Sequence, residues 1–207
     1  MPLQNRVDPF GELLAAPARG LLFGNRGGKF HRDDQTLGKR RYASRQWICC
    51  VLSFKGRQRN VWGRYYTELF FLDEVTALAA GHRPCFECRR AEAVAFAERF
   101  RRGGARPSAP EMDDVLHAER FDRRSRAKRI HPMVLDQVPD GAFITLSGTD
   151  AFAVKGDALL PWSPSGYGAR RPRQRGTTVS VLTPPTMVKV LSRGYTPLWH
   201  PSSLEES

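Results

Sequence analysis

The most distinctive chemical feature of the sequence is a cysteine pair, Cys85 and Cys88, spaced as Cys-x-x-Cys directly after a proline. Two thiolates three positions apart on a tight turn reach one tetrahedral metal ion, and zinc is the usual ion at such sites. Two further cysteines, Cys49 and Cys50, are adjacent in an apolar segment. In a cytosolic chain this pattern favours metal binding over a disulfide framework. We therefore predict a Zn2+ site with these four cysteines as candidate ligands.

The two adjacent cysteines point to opposite faces if they belong to one strand. One of Cys49 and Cys50 is then a ligand and the other a core residue, and the sequence does not separate them. The fourth ligand is the second cysteine of this pair, His31, His82 or a more distant histidine. A redox-active dithiol and unligated cysteines are the alternatives to a metal site.

A second group of reactive side chains lies in a predicted helix over 111–120. On a helix, Asp113 and His117 are four positions apart and share a face. A carboxylate beside an imidazole can orient a water, bind a divalent metal or act as a general base. The group is a candidate catalytic site of a DNA-acting hydrolase, a glycosylase or a nuclease; the alternative is a solvated helix with ordinary ion pairs. Its members are Asp113, Asp114, His117 and Glu119.

The chain is strongly basic, with a formal net charge of +12 and an isoelectric point near 10.2. Arginine accounts for 27 of the 33 basic residues. A guanidinium group binds phosphate bidentately and stacks on bases, so this composition predicts a nucleic-acid partner. We expect DNA, although the basic segments do not distinguish it from RNA. An anionic membrane or an acidic protein is the alternative partner.

Candidate nucleic-acid contacts lie beside the cysteine pair, in two basic segments and in a glycine-rich loop. An aromatic residue near such arginines can stack on an unpaired base. Trp162 has an alternative role as a core residue. The candidates are Arg26, Arg83, Arg89, Arg90, Arg123, Arg124, Arg126, Arg129, Arg170, Arg171, Trp162 and Tyr167.

The elements that must position these residues are short. The apolar segment 46–54 predicts a buried strand, and 66–72 predicts another. Asp73 is the expected N-cap of a short helix that ends at Gly81. The segment 90–101 carries alanine, valine and phenylalanine on one face and predicts a second helix.

Other segments complete an α+β fold, in which a small zinc module of strands and short helices packs on a mixed C-terminal half. A strand is expected at 61–62, and the first 31 residues look irregular. Further short strands are expected at 143–146, 152–154 and 179–182. We predict a zinc-binding module with an N-terminal extension over 1–102 and a basic α+β half over 111–207, or one continuous domain.

The sequence contains no stretch that approaches the roughly 18 to 20 apolar residues needed to span a membrane. Its first residues lack the charged and apolar regions of a signal peptide. We therefore expect a cytoplasmic protein without a membrane partner.

The segment TALAAGHRPCFECRR, residues 76–90, resembles the end of the metal-binding domain of the Ada family of DNA-repair proteins. In that family a strand and a short helix lead into Ala-Gly-aromatic-Arg-Pro-Cys-x-x-Cys, which Cys85 and Cys88 match. The upstream cysteines of the family are spaced Cys-x3-Cys, whereas here they are adjacent.

The resemblance covers about residues 42–90, and the rest of the chain resembles no family that we recognise. It implies a zinc module that contacts DNA and a role in DNA repair or processing. As a further alternative, it implies transfer of an alkyl group to Cys49 or Cys50.

Overall fold

The computed structural model of the chain describes residues 1–57, 60–101, 103–122, 125 and 127–204. Over these residues the chain forms two β-sheets and four α-helices, which confirms the predicted α+β class.

The first sheet is built by the N-terminal half of the chain, in the strand order β2-β1-β5-β3-β4-β6. The pairs β1–β5 and β4–β6 are parallel and the others are antiparallel. The strands are β1 (Gln4–Val7), β2 (Leu13–Ala15), β3 (Leu22–Arg26), β4 (Trp47–Val51), β5 (Leu69–Phe71) and β6 (Arg83–Pro84).

The second sheet is antiparallel, with the order β11-β10-β9-β8-β13-β7 and with β12 beside β10. Its strands are β7 (His131–Val134), β8 (Phe143–Thr145), β9 (Phe152–Lys155), β10 (Ala158–Ser163), β11 (Gly166–Tyr167), β12 (Arg171–Pro172) and β13 (Thr178–Val181).

The helices are short, and two single 3-10 turns, Leu135–Gln137 and Pro201–Leu204, complete the described structure. In the described part of the chain, no helix has the length and apolar character required to cross a membrane. The α-helices are α1 (Glu74–Ala79), α2 (Arg90–Phe100), α3 (Ala109–Arg120) and α4 (Pro185–Ser192).

The predicted helices form, but the N-terminal strands were missed. Asp73 caps α1 as expected, because its carboxylate accepts a hydrogen bond from the backbone of Thr76 at 2.9 Å. The segment expected to be irregular instead supplies β1, β2 and β3. Gly24 lies in β3 where an added Cβ would be 2.1 Å from the carbonyl oxygen of Ile48, so the glycine permits close strand contact rather than a turn. The strand expected at 61–62 is a turn.

Helix α1 is completely buried and contributes to the cores beneath both sheets. Ala77 packs with Val7 and Leu69 of the first sheet, whereas Leu78 belongs to the same apolar cluster as Phe96 and Ile144. The two predicted halves therefore share apolar packing across the segment 103–110 that was expected to separate them.

A buried carboxylate at the start of α1 binds groups from three parts of the chain. Glu74 accepts hydrogen bonds from the Tyr195 hydroxyl at 2.6 Å and from the backbone N–H of Leu198 at 2.9 Å. It also forms an ion pair with Arg89 at 2.8 Å, in which both side chains are at most 3% exposed. A charge pair without water depends on both partners, because either one alone would be an uncompensated buried charge.

We predict that Glu74→Ala lowers the free energy of unfolding by about 3 to 5 kcal/mol, the range for breaking a buried ion pair. Urea unfolding monitored by tryptophan fluorescence measures this loss. Glu92→Ala is the control, since Glu92 lies 3.9 Å from Arg89 but its side chain is 47% exposed, and it should change stability by less than about 1 kcal/mol. Equal losses in the two variants would contradict the role assigned to Glu74.

Candidate functional site

Three of the four cysteines converge on one point. The sulfur atoms of Cys50, Cys85 and Cys88 all lie within 4.8 Å of one another, a spacing that could hold a metal ion. Cys50 and Cys85 are buried, and Cys88 is partly exposed. We call these three residues the cysteine cluster.

The backbone around the cluster fixes the positions of the sulfurs. Strand β4 pairs with β6 in parallel, and the N–H of Cys85 donates to the carbonyl of Cys49 at 3.0 Å. The N–H of Glu87 lies 3.4 Å from the Cys85 sulfur and donates to it. Helix α2 begins at Arg90, two residues after Cys88, so its positive end lies next to the cluster in sequence.

The cluster favours a thiolate, which is the form of cysteine that binds metals. Hydrogen bonds from the Cys50 and Cys88 thiols lower the pKa of Cys85, outweighing the opposing effect of its burial. The same interaction with Cys85 and Cys88 raises the pKa of Cys50. Hydrogen bonds therefore link the three cysteines, and a divalent cation in the cluster would displace the thiol protons.

Cys49 is not part of the cluster, so the prediction that included it among the candidate ligands is corrected. It points to the opposite face of β4, where it is fully buried with Leu22 and Phe71. Burial raises the pKa of its thiol to about 12. Its sulfur accepts a hydrogen bond from Arg89 at 3.3 Å. The strand alternation therefore assigns the ligand position to Cys50.

The histidines considered as a fourth ligand have other contacts. His31 stacks on Trp62 with 5.0 Å between ring centroids, and its Nδ1 lies 2.7 Å from the Thr67 hydroxyl. His82 is buried beside Arg26 on the other face of the first sheet. Among the described residues, only the three cysteines form a group of three or more candidate metal-binding donor atoms.

A second feature is a large cavity of about 1070 Å³ around Trp47, which we call the basic cavity. One acidic residue, Glu12, lies in its described lining, together with the aromatic residues Phe10, Tyr42 and Phe121. His117 also lines it. The basic lining residues are Arg26, Lys39, Arg40, Arg41, Arg45, Arg120 and Lys128.

Two guanidinium groups are buried in the wall of this cavity. Arg26 and Arg120 are 1% and 2% exposed, and each places its guanidinium carbon 4.0 Å from the centroid of the Trp47 ring. Both donate mainly to backbone carbonyls, including those of Gly11 and Gly81 at 2.7 Å. No described carboxylate lies within 4.0 Å of either group, and the Arg120 Nε has no hydrogen-bond partner.

A buried charge without a close ion-pair partner is unfavourable, and its burial shifts the proton equilibrium of the group. Burial is the main cause that lowers the pKa of Arg26 and Arg120 to about 9, and at Arg26 the carboxylates of Glu12 and Asp8 oppose the lowering. Burial also lowers the pKa of Lys128 to about 7, against the opposing effect of the Asp8 carboxylate. With seven basic residues and one acidic residue in its described lining, the cavity has an excess of positively charged groups, which favours an anion.

His82 lies behind the same cavity and is fully buried. Its Nε2 accepts a hydrogen bond from Arg26 at 3.2 Å, and its Nδ1 has no partner. Burial, followed by repulsion from Arg26 and Arg120, lowers the pKa of His82 well below its ordinary value. The imidazole is therefore neutral in the folded protein.

The four residues proposed as a catalytic group do not converge. Asp113 forms a buried ion pair with Arg83 at 2.8 Å, and the exposed Asp114 forms one with Arg45 at 2.7 Å. Glu119 instead accepts hydrogen bonds from the backbone N–H and hydroxyl of Thr186 at the start of α4. Of the four, His117 alone lines the basic cavity. The predicted helix is correct, but each of its three carboxylates binds a different partner and none of them lines the cavity with His117.

Four of the predicted nucleic-acid contacts are buried. Arg26, Arg83 and Arg89 are at most 4% exposed, and the last two form ion pairs inside the protein. Tyr167 is also buried, and its hydroxyl donates to Asp73 at 2.7 Å. Arg83 and Arg89 are therefore not surface phosphate contacts, and Tyr167 does not stack on a base. Arg26 is different because it lines the basic cavity from within.

The other candidates are divided between the surface and the core. Trp162 is half-buried, and its indole N–H donates to Thr76 at 3.1 Å, which agrees with the core alternative. Arg123, Arg124 and Arg126 lie outside the described residues. The exposed candidates are Arg90, Arg129, Arg170 and Arg171.

The sequence reasoning missed most residues of the basic cavity. Lys39, Arg40 and Arg41 form a basic run directly after Gly38, and Tyr42 follows them. This basic run is the sequence feature from which part of the cavity lining could have been predicted. The contribution of Arg120 was not detectable, because it depends on the end of α3 packing against Trp47.

Comparison of the chain with known protein families, with curated proteins and with solved structures found no match. The site is therefore interpreted from its own residues.

We predict that Cys50→Ser abolishes stoichiometric metal binding, because it removes one of three converging thiolates. Cys49→Ser is the matched control and should retain the metal, since that sulfur lies on the other face of β4. Metal content per chain, measured by mass spectrometry after gel filtration, distinguishes the two variants. Loss of the metal in Cys49→Ser with retention in Cys50→Ser would contradict the assignment.

The protonation of His82 predicts a pH dependence of stability. Between about pH 6.5 and the lowered pKa of folded His82, the unfolded chain binds a proton that the folded chain does not. The free energy of unfolding should therefore fall as the pH decreases below about 6.5, by up to about 1.4 kcal/mol per pH unit. His82→Gln keeps an acceptor for Arg26 and should flatten this slope in urea titrations between about pH 5 and 7. An unchanged slope would show that another group is responsible.

Proposed function

We propose that this is a zinc-containing nucleic-acid-binding protein that acts in DNA repair or processing. The basic cavity is the observation that carries the proposal. Seven lysines and arginines and one acidic residue line it. Two of its guanidinium groups are buried without a described carboxylate partner.

Phosphate is the ligand chemistry that these groups fit best. Arginine and lysine provide most protein contacts to the phosphates of nucleic acids. A volume of about 1070 Å³ is slightly above the range of small-molecule pockets, which measure about 300 to 1,000 Å³. A segment of a nucleic-acid strand therefore suits the cavity better than a single small anion.

The arrangement around Trp47 favours recognition of the backbone over recognition of bases. Trp47 is buried, and the guanidinium groups of Arg26 and Arg120 lie over its ring. This ring is consequently not available as a stacking platform. Binding that depends on phosphates is expected to be strongly salt-dependent and to vary little with sequence.

Zinc is the metal that we assign to the cysteine cluster. A set of thiolates selects soft or borderline ions, of which Zn2+ is the common structural one. The ion would join β4 to the turn that precedes α2. In doing so it would hold the strand that carries Trp47 in register with its neighbours.

The enzymatic alternatives have less support from the geometry. A hydrolase using all four residues from Asp113 to Glu119 would need the three carboxylates to leave their present partners. In alkyl transfer Cys50 would be the acceptor, because the Cys49 thiol is fully buried and accepts a hydrogen bond from Arg89.

We predict that the double variant Lys39→Ala/Arg40→Ala weakens nucleic-acid binding, since both exposed side chains line the basic cavity. The measurement is a fluorescence-anisotropy titration of labelled single- and double-stranded DNA, and of RNA, over a salt series. Loss of two phosphate contacts should reduce the slope of log K against log salt by about 1.4 to 1.8.

Lys189→Ala is the control for removal of a positive charge, because Lys189 is exposed on α4 and does not line the cavity. It should leave the slope and the affinity close to those of the wild type. Binding that is insensitive to salt, or that Lys189→Ala weakens as much as the double variant, would refute the proposal. Preference among the three probes identifies the form of nucleic acid.

A further inference from the structure

The cysteine cluster lies in the wall of a second cavity, on the opposite side of β4 from the basic cavity. This cavity has a volume of about 590 Å³, and all three cysteines line it. We call it the cysteine cavity. Other lining residues relevant to its chemistry are Arg57, Arg64, Tyr65, Tyr66, Glu68 and Glu87.

A zinc ion at this site would lack one protein ligand within the part of the chain that the structure describes. Zinc in proteins is almost always four-coordinate, and closed structural sites supply all four ligands from side chains. Here the described donor atoms that come together are three sulfurs. Sites with three protein ligands keep the fourth position for an exchangeable molecule.

The two acidic residues that line the cavity have other partners. Glu87 forms an ion pair with Arg57 at 2.7 Å. Glu68 accepts a hydrogen bond from the backbone N–H of Trp62 at 2.7 Å. Neither belongs to the group of converging donor atoms. Because the cavity adjoins all three sulfurs, an external ligand can approach the ion from it.

We propose that zinc in the cysteine cluster keeps a coordination position open to the cysteine cavity, and that a low-molecular-weight thiol binds there. This inference rests on the zinc part of the proposed function. A fourth sulfur completes the four-thiolate set that zinc commonly adopts. The thiol releases its proton to solvent on binding and the ion remains Zn2+, so no oxidant or reductant takes part.

The walls of the cavity fit this class of ligand. Three thiolates around Zn2+ give a net charge of −1, and a fourth makes it −2. Arg64, which is exposed at the cavity, reduces the repulsion that an incoming thiolate would meet, whereas the charge of Arg57 is paired with Glu87. Tyr65 and Tyr66 are 71% and 48% exposed and offer apolar surface to the rest of a small molecule. The volume lies within the range of small-molecule sites, about 300 to 1,000 Å³.

The test replaces zinc with Co2+ in the full-length protein, because cobalt reports its ligands by visible absorption. One cobalt per chain is established first, and 2-mercaptoethanol is then titrated. We expect the ligand-field bands to shift and the thiolate-to-cobalt charge-transfer absorption to rise by about one third, the increment of a fourth thiolate on three. Cobalt must remain with the protein after dialysis against the thiol.

The outcomes separate this inference from the proposed function. Bound cobalt with a spectrum unchanged by thiol overturns the open position and leaves the metal site intact. Failure to bind cobalt would overturn both the open position and the zinc part of the proposed function. Cobalt extracted from the protein by the thiol also overturns the proposal.

Two variants show whether a change in the cobalt spectrum, or its absence, is caused by the cysteine cluster. Cys49→Ser should respond to thiol as the wild type does, since its sulfur lies on the other face of β4. An unresponsive wild type together with a responsive Glu87→Gln would overturn the proposal and identify Glu87 as a fourth protein ligand.

Discussion

The buried ion pair between Glu74 and Arg89 is the interaction on which the arrangement of the rest depends. Glu74 begins the helix that packs against both sheets, and its other carboxylate oxygen binds the C-terminal Tyr195. Arg89 directly follows the last cysteine of the cluster and also donates to Cys49. One pair of charges thus connects the helix, the turn that carries Cys85 and Cys88, and the C-terminal segment. Because both charges are buried, small displacements are unfavourable.

The sequence correctly predicted those helices and strands that depend on residues close to one another in the chain. The cap at Asp73 and the apolar segment around Cys50 led to a correct helix and strand. The cysteine spacing correctly indicated a cluster that could hold a metal ion, and the alternation of a strand predicted that only one of the adjacent cysteines would join it. These inferences require only neighbouring residues and a known periodicity.

Burial of arginine could not be read from the sequence, because it depends on distant partners. Arg83 is buried since Asp113, thirty positions later, forms two hydrogen bonds with it at 2.8 Å. A basic residue beside a cysteine pair is usually on the surface, and composition therefore indicated phosphate contacts there. The strand β3 was missed for a related reason. Its Gly24 suggests a loop until the close approach of β4 is known.

The chemistry of the protein is divided between the two faces of the paired strands β3 and β4. Trp47 and Arg26 line the basic cavity, whereas their neighbours Ile48 and Asn25 line the cysteine cavity. This division follows from the two-residue repeat of a strand, which sends successive side chains to opposite sides. A shift of one residue in the β3–β4 register would exchange the faces and disrupt both cavities together. A metal ion bound by the cysteine cluster would tie Cys50 to the turn after β6 and oppose such a shift, so it would also stabilise the geometry of the basic cavity on the other face.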